Sequence, residues 1–233
     1  MVTGKSPKIV AIIQARMGST RLAGKVMMDL AGKSVLSRVI ERVKEAKTPH
    51  EICVATSDLA KDDVVSDEAR ANGVRVYRGS EEDVLSRYLG AAEMTGADHI
   101  VRVTADNPLT EPEFIDICAE NIMKGKIDYA AMKDIPYGTG AEAVTKEALS
   151  RAAEKATKEE KEHVTIGIYN KPDLFRTRAL EPSPEFRRPD IRLTMDTARD
   201  YDVLSDIFKH FISTAKGIKL SSVIDYLDGK KER

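Results

Sequence analysis

The segment that decides the fold is Lys8–Gln14, "KIVAIIQ", which runs directly into Ala15–Lys25, "ARMGSTRLAGK". The first part is a continuous apolar run of strand length, rich in β-branched residues, which is typical of a parallel strand covered on both faces. The second part concentrates arginine, lysine, hydroxyl residues and glycine in one loop, and a helical pattern follows it. A strand, a glycine-containing loop and a helix together present backbone N–H groups to an anion. The segment therefore predicts a central strand that ends at a phosphate-binding loop.

Working outward from this segment, apolar strand-like runs alternate with amphipathic helical patterns through the first half of the chain. Strands are predicted at Glu51–Thr56, Val74–Tyr77 and His99–Thr104, and helices at Ser34–Lys47, Lys61–Asn72, Glu82–Thr95 and Pro112–Lys124. Such alternation predicts the α/β class, with a single mainly parallel sheet and right-handed crossovers.

The second half of the chain is less regular. Short strands are predicted at Ala141–Thr145 and Asp190–Asp196, and helices at Lys146–Thr157 and Glu160–Asn170. We expect one domain, with a nucleotide-binding half at about residues 8–125 and acceptor and dimerisation elements at about residues 126–233.

Composition excludes several classes of partner. The 37 basic and 38 acidic residues give a net charge of −1, so no general basic field attracts nucleic acid or a membrane surface. The two cysteines are too few for a disulfide framework, and no apolar run approaches the roughly 20 residues of a membrane span. We therefore expect a soluble, cytoplasmic protein in which any phosphate chemistry is confined to a local site.

The loop matches neither of two common phosphate-binding motifs. A Walker A loop has four residues between its glycine and the Gly-Lys pair, whereas five separate Gly18 from Gly24. The dinucleotide fingerprint G-x-G-x-x-G is also absent. Two interpretations remain, a phosphate loop of another design and a solvated basic turn. Repulsion among Arg16, Arg21 and Lys25 favours the first, because an anion would compensate their charges.

Two aspartates are candidates for a metal site. Asp106 follows the predicted strand His99–Thr104, and Asp196 follows a short apolar segment. Ligands of open α/β sheets bind beyond the carboxyl ends of strands, and carboxylates there suit Mg²⁺ bridging to phosphates. Each aspartate also has a plain structural interpretation, Asp106 as a turn or cap residue and Asp196 as a helix N-cap. Their spacing in the sequence does not decide between the two.

Several longer motifs resemble one enzyme family. They are "AIIQARMGSTRLAGKVMMDLAGKSVLSRVIERV", "YRGSEEDVLSRY", "RVTADNPLTEPEFID", "KEHVTIGIYNKP" and "IRLTMDTARDY". In this order and spacing they resemble the cytidylyltransferases that activate acidic sugars as CMP conjugates, the group of acylneuraminate and 3-deoxy-manno-octulosonate cytidylyltransferases. The branch of spore-coat polysaccharide biosynthesis protein F is the most similar. The resemblance extends from about Ile9 to Tyr201.

The resemblance implies a glycosyltransferase-A-like, Rossmann-like nucleotidyltransferase fold that forms a homodimer and uses CTP and Mg²⁺. The implied nucleotide-contacting residues are Gln14, Ala15, Arg16, Gly18, Ser19, Arg21, Lys25, Arg78, Gly79 and Ser80. Among them, Arg16 and Lys25 are implied to reach the triphosphate, and the backbone near Ala15 to meet the base or ribose.

The resemblance also implies that Asp106 and Asp196 bind Mg²⁺, so that these aspartates with Arg16 and Lys25 form the catalytic set. Glu142 and His163 fall in motifs near the expected acceptor pocket. The implied reaction transfers CMP from CTP to an acidic sugar or related small acceptor and releases pyrophosphate.

Two other functions are compatible with a nucleotide-binding loop. One is a glycosyltransferase that uses a preformed nucleotide sugar, and the other is a catalytically idle nucleotide-binding module. The glycosyltransferases commonly carry an Asp-x-Asp metal motif after the fourth strand, where this chain has Ala105, Asp106 and Asn107. That difference favours the cytidylyltransferase.

Overall fold

The apolar run Lys8–Gln14 forms strand β1 (Ile9–Gln14), which lies inside a seven-stranded sheet of the computed structural model. The structure describes residues 6–212 and 217–231. The other strands are β2 (Glu51–Ser57), β3 (Arg75–Gly79), β4 (His99–Thr104), β5 (Tyr129–Met132), β6 (Glu142–Thr145) and β7 (Thr177–Leu180). Their order in the sheet is β3-β2-β1-β4-β6-β5-β7.

Helices cover both faces of this sheet. They are α1 (Val35–Lys44), α2 (Asp63–Ala71), α3 (Val84–Thr95), α4 (Pro112–Met123), α5 (Lys146–Ala153), α6 (Lys158–His163), α7 (Ile166–Tyr169), α8 (Ala198–Ile212) and α9 (Leu220–Lys231). Within the described ranges, no helix combines the length and the apolar character that crossing a bilayer requires.

Strand β1 is buried because each of its faces packs in a different apolar cluster. Ala11 and Ile13 pack with residues of α1 and α4, whereas Val10 and Ile12 pack with residues of α3 and α5. Its neighbours β2 and β4 both pair with it in parallel. The predicted α/β class with a mainly parallel sheet is therefore confirmed.

Strand β6 is the exception to the parallel arrangement, since it runs antiparallel to both β4 and β5. Its register places Glu142 directly opposite Arg102 of β4. Side chains of directly opposed residues lie on the same face and interact. The predicted short strand at Ala141–Thr145 is thus confirmed, and its pairing brings an acidic residue against a basic one.

The sequence interpretation was wrong for Asp190–Asp196, which is not a strand of the sheet. Tyr137 forms the only bridge to this segment within the described chain, opposite Arg192. The alternating apolar residues Ile191, Leu193 and Met195 are buried, but they pack with α8 and α9 in a third cluster. An alternating pattern shows that one face is buried, not which element covers it.

Other corrections concern the second half. The predicted helix Glu160–Asn170 is two helices, because the chain breaks at Val164, whose φ is 61°. The predicted helix Lys146–Thr157 ends at Ala153, and Thr157 instead caps α6 by accepting from the backbone N–H of Glu160. Strands β5 and β7 were not predicted.

Asp128 joins these two strands where they begin. Its carboxylate accepts from the guanidinium of Arg176 at 2.8 and 3.2 Å and from the backbone N–H of Arg176 at 2.9 Å. The hydrogen bonds from Arg176 hold the pKa of Asp128 below its usual value, although burial opposes them. A bidentate pair of this kind is a strong, charge-assisted contact.

We expect Asp128→Asn to lower the free energy of unfolding by about 2 kcal/mol at pH 7, the usual contribution of a hydrogen bond to a charged group. Because the pKa of Asp128 is depressed in the folded chain, this stabilisation is present above the unfolded-state pKa and is lost as pH falls through the folded-state pKa. Urea unfolding of both proteins between pH 7 and pH 2 measures the difference. A difference that stayed constant down to pH 2 would contradict this assignment.

Candidate active site

A cavity of about 310 Å³ opens beyond the carboxyl ends of β1 and β4. Ten sequence-predicted residues line it: Gln14, Ala15, Arg16, Gly18, Ser19, Arg21, Lys25, Asp106, His163 and Asp196. Eight further lining residues were not predicted: Thr20, Val26, Val84, Arg87, Arg102, Thr104, Ala105 and Glu162. One cavity therefore collects residues from the loop after β1, from the end of β4, from α3, from α6 and from the segment before α8.

Lys25 lies between the two aspartates. Its ammonium Nζ is 2.7 Å from Oδ2 of Asp106 and 3.0 Å from Oδ1 of Asp196, although these residues follow it by 81 and 171 positions in the chain. Lys25 is only 9% exposed, so the charges interact with little solvent screening. The two carboxylates thus converge on one point, which a cation occupies.

Asp196 is surrounded by three cations. Besides Lys25, the guanidinium of Arg21 is 2.8 Å from Oδ1 and that of Arg192 is 2.7 Å from Oδ2. Burial opposes ionisation of Asp196, but the hydrogen bond and charge of Lys25, together with Arg192 and Arg21, hold its pKa below the usual value. Asp196 is therefore a carboxylate at neutral pH.

Asp196 does not cap the helix that follows it. The hydroxyl of Thr197 accepts from the backbone N–H of Asp200 at 3.2 Å, and the Asp200 carboxylate accepts from the backbone N–H of Thr197 at 2.9 Å. This reciprocal pair is the capping-box arrangement that satisfies a helix N-terminus. The helix-cap interpretation of Asp196 is wrong, because Thr197 fills that position and leaves Asp196 facing the cavity.

The loop after β1 is held by contacts that sequence reasoning missed. Asp62 is fully buried, and its carboxylate accepts from the backbone N–H of Met17 at 2.6 Å and from the hydroxyl of Ser57. Gly24 adopts a φ of 66°, which favours glycine, and its N–H donates to the carbonyl of Met17 at 3.1 Å. These bonds fix the turn that precedes Lys25, whose ammonium group reaches Asp106 and Asp196.

Arg78, Gly79 and Ser80 do not line the cavity. The Arg78 guanidinium donates to the carbonyls of Ser57 and Leu59 and pairs with Asp63 at 2.6 Å, so it holds the turn after β2. The carbonyl of Ser80 accepts from Arg87 at 2.7 Å at the edge of the cavity. That these three residues contact the nucleotide stays a prediction.

Two arginines meet at this edge. Arg87 is 1% exposed and, with Arg16, donates to the carbonyl of Glu81, at 3.1 and 2.9 Å respectively. Burial, and then the charge of Arg16, lower the pKa of Arg87. The guanidinium Nε of Arg87 is buried without a hydrogen-bond partner. Like charges this close favour an anion or an electron-rich group in the cavity.

Helix α6 borders the opposite side of the cavity. His163 lines it, and the neighbouring Glu162 lies 3.6 Å from the guanidinium of Arg16. Glu142 is not a lining residue, because its carboxylate is bound to Arg102, Tyr129 and Thr165 behind the cavity. The two predicted acceptor-pocket residues therefore have different positions. His163 lines the cavity, whereas Glu142 contacts Arg102, which lines it.

Gly138 packs closely against the backbone of the segment that leads into Asp196. Its φ is 96°, and a Cβ atom there would lie 2.5 Å from the backbone N of Thr194, two residues before Asp196. We expect Gly138→Ala to lower the free energy of unfolding by about 3 kcal/mol or more, from the strained backbone and the clash together. The matched control is Gly32→Ala, where φ is 86° and no heavy atom lies within 4 Å, so that only the backbone cost of about 1 kcal/mol is expected. Equal losses measured by urea unfolding would contradict the close approach.

The described residues contain no group of three or more His, Cys, Asp and Glu side chains that could hold a metal on its own. Asp106 and Asp196 offer two carboxylates on one point. Mg²⁺ is commonly held by one or two carboxylates together with substrate phosphates and waters. The oxygen-only donor pair fits such a metal, provided that a phosphate completes the set.

Comparison with known proteins gives the family. The sequence model of the family described as cytidylyltransferase matches residues 10–228. An uncharacterized protein of Methanocaldococcus jannaschii is 40% identical over 222 residues, covering 95% of this chain and 90% of that protein. Spore coat polysaccharide biosynthesis protein SpsF of Bacillus subtilis is 37% identical over 207 residues, covering 86% of each. A 3-deoxy-manno-octulosonate cytidylyltransferase of Geobacter sulfurreducens is 41% identical over 110 residues, which are 46% of this chain and 42% of that enzyme.

Solved structures of cytidylyltransferases superpose on this chain. A cytidylyltransferase of Leptospira borgpetersenii superposes with a TM-score of 0.89 at 29% identity, over 97% of this chain and 96% of that one. CMP:2-keto-3-deoxy-manno-octonic acid synthetase complexed with CTP superposes with a TM-score of 0.69 at 17% identity, over 88% and 99%, which supports the fold alone. The motif resemblance and the predicted nucleotidyltransferase fold are both confirmed. The chain belongs to the cytidylyltransferase family and is a nucleotidyltransferase.

Proposed function

We propose that this enzyme transfers CMP from CTP to an acidic sugar or a related small acceptor, releases pyrophosphate and depends on Mg²⁺. The observation that carries the proposal is the convergence of a cationic loop and two distant carboxylates in one cavity, with Lys25 bound to both Asp106 and Asp196. Membership of the cytidylyltransferase family supports the choice of CTP. A spore coat polysaccharide biosynthesis protein among the relatives supports an acceptor of sugar chemistry.

The loop residues would bind the triphosphate. Arg16, Arg21 and Lys25 all line the cavity, and in this structure each is compensated by an acidic side chain, Glu162 for the first and Asp196 for the other two. A bound triphosphate would replace these partners. Arginine offers a planar fork to phosphate oxygens and lysine a mobile point charge, so Lys25 would move from the carboxylates to a phosphate.

Asp106 and Asp196 would then hold Mg²⁺. When bound there, the metal supplies charge neutralisation at the α-phosphate. The protein's own contribution is positioning, because the guanidinium of Arg192 and the buried surroundings orient the Asp196 carboxylate before any ligand arrives.

In the proposed reaction, an acceptor hydroxyl oxygen forms a bond to the α-phosphorus of CTP. The bond between that phosphorus and the bridging oxygen of the β-phosphate breaks, pyrophosphate leaves, and the hydroxyl proton is released. His163 is the one histidine that lines the cavity within the described residues, so it is the side chain placed to accept that proton. No covalent intermediate with the protein is required.

The test is direct. The enzyme is mixed with CTP, Mg²⁺ and a panel of sugar acids and related hydroxy acids, and pyrophosphate release is measured. We expect release with at least one acceptor and none without an acceptor. Absence of release with every acceptor would count against transfer and favour an idle nucleotide-binding protein.

Preference for the base is measured separately. Thermal unfolding with Mg²⁺ and each of the four nucleoside triphosphates should show the largest stabilisation with CTP, since at equal concentration the ligand that binds the folded state most tightly stabilises it most. A larger stabilisation by UTP or a purine nucleotide would contradict the proposed co-substrate.

A further inference from the structure

The orientation of the Gln14 side-chain amide is determined by its neighbours. Oε1 of Gln14 lies 3.2 Å from Nη2 of Arg102 and 3.2 Å from the hydroxyl of Tyr88. A guanidinium can only donate, so the atom facing Arg102 must be the amide oxygen. The Nε2 group, which carries two hydrogens, therefore points the other way. Gln14 lines the cavity, and across residues 6–212 and 217–231 no side chain or carbonyl accepts from Nε2.

Arg102 is itself held from behind. Its Nη1 donates to Oε2 of Glu142 at 2.7 Å, and that carboxylate also accepts from the hydroxyls of Thr165 at 2.8 Å and Tyr129 at 2.8 Å. Burial, and then the charge of Glu142, raise the pKa of Tyr129, so its phenol remains a donor at neutral pH. Burial lowers the pKa of Arg102, but the charge of Glu142 outweighs burial and raises that pKa overall. The Glu142 carboxylate thus accepts from three side-chain donors that hold it against Arg102, and it is not part of the cavity lining.

The consequence is a patch of the cavity that only donates. The free hydrogens of Gln14 Nε2 face the ligand side. Arg102 also lines the cavity and keeps Nη hydrogens that neither Glu142 nor Gln14 accepts, while its Nε is buried without a partner. The pair of Arg102 and Glu142 carries no net charge. Such a patch selects by hydrogen-bond direction more than by long-range charge.

We propose that Gln14 and Arg102 form a donor-only subsite for a group of the acceptor whose oxygens carry no hydrogen, a carboxylate or a phosphate. Gln14 is then a specificity-determining residue for the acceptor, in place of the nucleotide contact that the family resemblance implies for it, and Glu142 is a positioning residue that acts through Arg102. The inference rests on the proposed transfer reaction for its biological meaning. Binding at the subsite is independent of turnover and can be measured alone.

The first measurement observes the Gln14 amide in ¹⁵N-labelled enzyme saturated with CTP. Its NH₂ signals are assigned by their absence from Gln14→Glu. Glucuronate, glucose 6-phosphate and neutral glucose are then titrated separately. We expect the signals to shift with the carboxylate probe or with the phosphate probe, which distinguishes the two sources, and not with glucose. No shift with either anion, or an equal shift with glucose, would overturn the proposal.

The second measurement uses Gln14→Glu with the acceptor found by pyrophosphate release. The variant is nearly isosteric, and one carboxylate oxygen still accepts from Arg102, while the other replaces the donor with an acceptor. We expect the acceptor KM to rise about 30-fold or more, with the metal-free affinity for CTP within about 3-fold of wild type. An unchanged acceptor KM, or a parallel loss of CTP affinity, would overturn the assignment of Gln14 to the acceptor.

Glu142 is tested through the same signals. In Glu142→Gln the Gln14 NH₂ resonances should move without any ligand, because Arg102 loses the charge that fixes it. Glu51→Gln, which alters a carboxylate paired with Lys8, is the matched control and should leave them in place. If Glu142→Gln does not fold, Arg102→Lys removes the donor to Gln14 and should move them as well. Resonances that stay at their wild-type positions would overturn the positioning role.

Discussion

Replacement of Asp106 by asparagine is expected to lower kcat/KM for pyrophosphate release by about 1000-fold, the usual cost of removing a group that stabilises charge in the transition state. The variant keeps the shape of the side chain and loses one of the two carboxylates that converge on Lys25. Lys25 keeps its ion pair with Asp196 in this variant, so no buried charge is left unpaired, and we expect the free energy of unfolding to change by less than about 1 kcal/mol.

Kinetics of pyrophosphate release, urea unfolding and metal-free CTP binding separate these effects. Asp67→Asn is the matched control, because Asp67 pairs with Arg70 on the surface of α2 and is 74% exposed. That control should keep full activity. Asp106→Asn that retained more than about a tenth of wild-type kcat/KM would show that Asp106 does not act in the reaction.

Lys25→Met is expected to have two effects of opposite sign. Activity should fall by about 1000-fold or more, because the triphosphate loses a charge placed beside the reacting phosphate. Metal binding in the absence of nucleotide should improve by about 10-fold or more, because the ammonium between Asp106 and Asp196 is gone, which frees the Asp106 carboxylate and leaves Asp196 with Arg21 and Arg192 alone. In the wild-type enzyme we therefore expect the metal to bind more tightly when a nucleotide is present, because the phosphates draw the Lys25 ammonium away from the two carboxylates.

Free Mn²⁺ measured by electron paramagnetic resonance reports this binding without any turnover. Lys33→Met is the matched control, since Lys33 pairs with Glu41 on the surface and is 51% exposed. It should bind Mn²⁺ as the wild type does. If Lys25→Met and wild type bound Mn²⁺ equally well without nucleotide, Lys25 would not be a competitor of the metal.

The first half of the fold was predictable because local patterns there carry enough information. Strand-like runs rich in apolar residues identified β1, β2 and β4. Gly73 and Gly96 follow α2 and α3 with positive φ, which is usual at helix ends. Strands β5 and β7 are four residues long and contain small or half-exposed residues, so no period-2 pattern distinguished them. Asp190–Asp196 was predicted as a strand because it is apolar and short, but helices α8 and α9 bury its apolar residues instead of a neighbouring strand.

For the site, the sequence identified the charged residues of the loop and the two aspartates, but not the residues that contact and hold them. The loop cations, Asp106 and Asp196 all line one cavity. Asp62, Arg87 and Arg102 were missed because each works through a partner that only the fold supplies. Arg102 and Glu142 are 40 residues apart and meet through the antiparallel register of β4 and β6. Only the order of strands within the sheet could have revealed that pair.

The central claim is that Asp106 and Asp196 hold one divalent metal together with a nucleoside triphosphate bound along the loop after β1. The most direct measurement is the anomalous scattering of Mn²⁺ in crystals of the enzyme grown with CTP. A single Mn²⁺ peak bonded to oxygens of Asp106, Asp196 and a phosphate, with Lys25 moved onto the triphosphate, is the expected result. A Mn²⁺ ion bonded to the nucleotide but to neither aspartate would contradict the account.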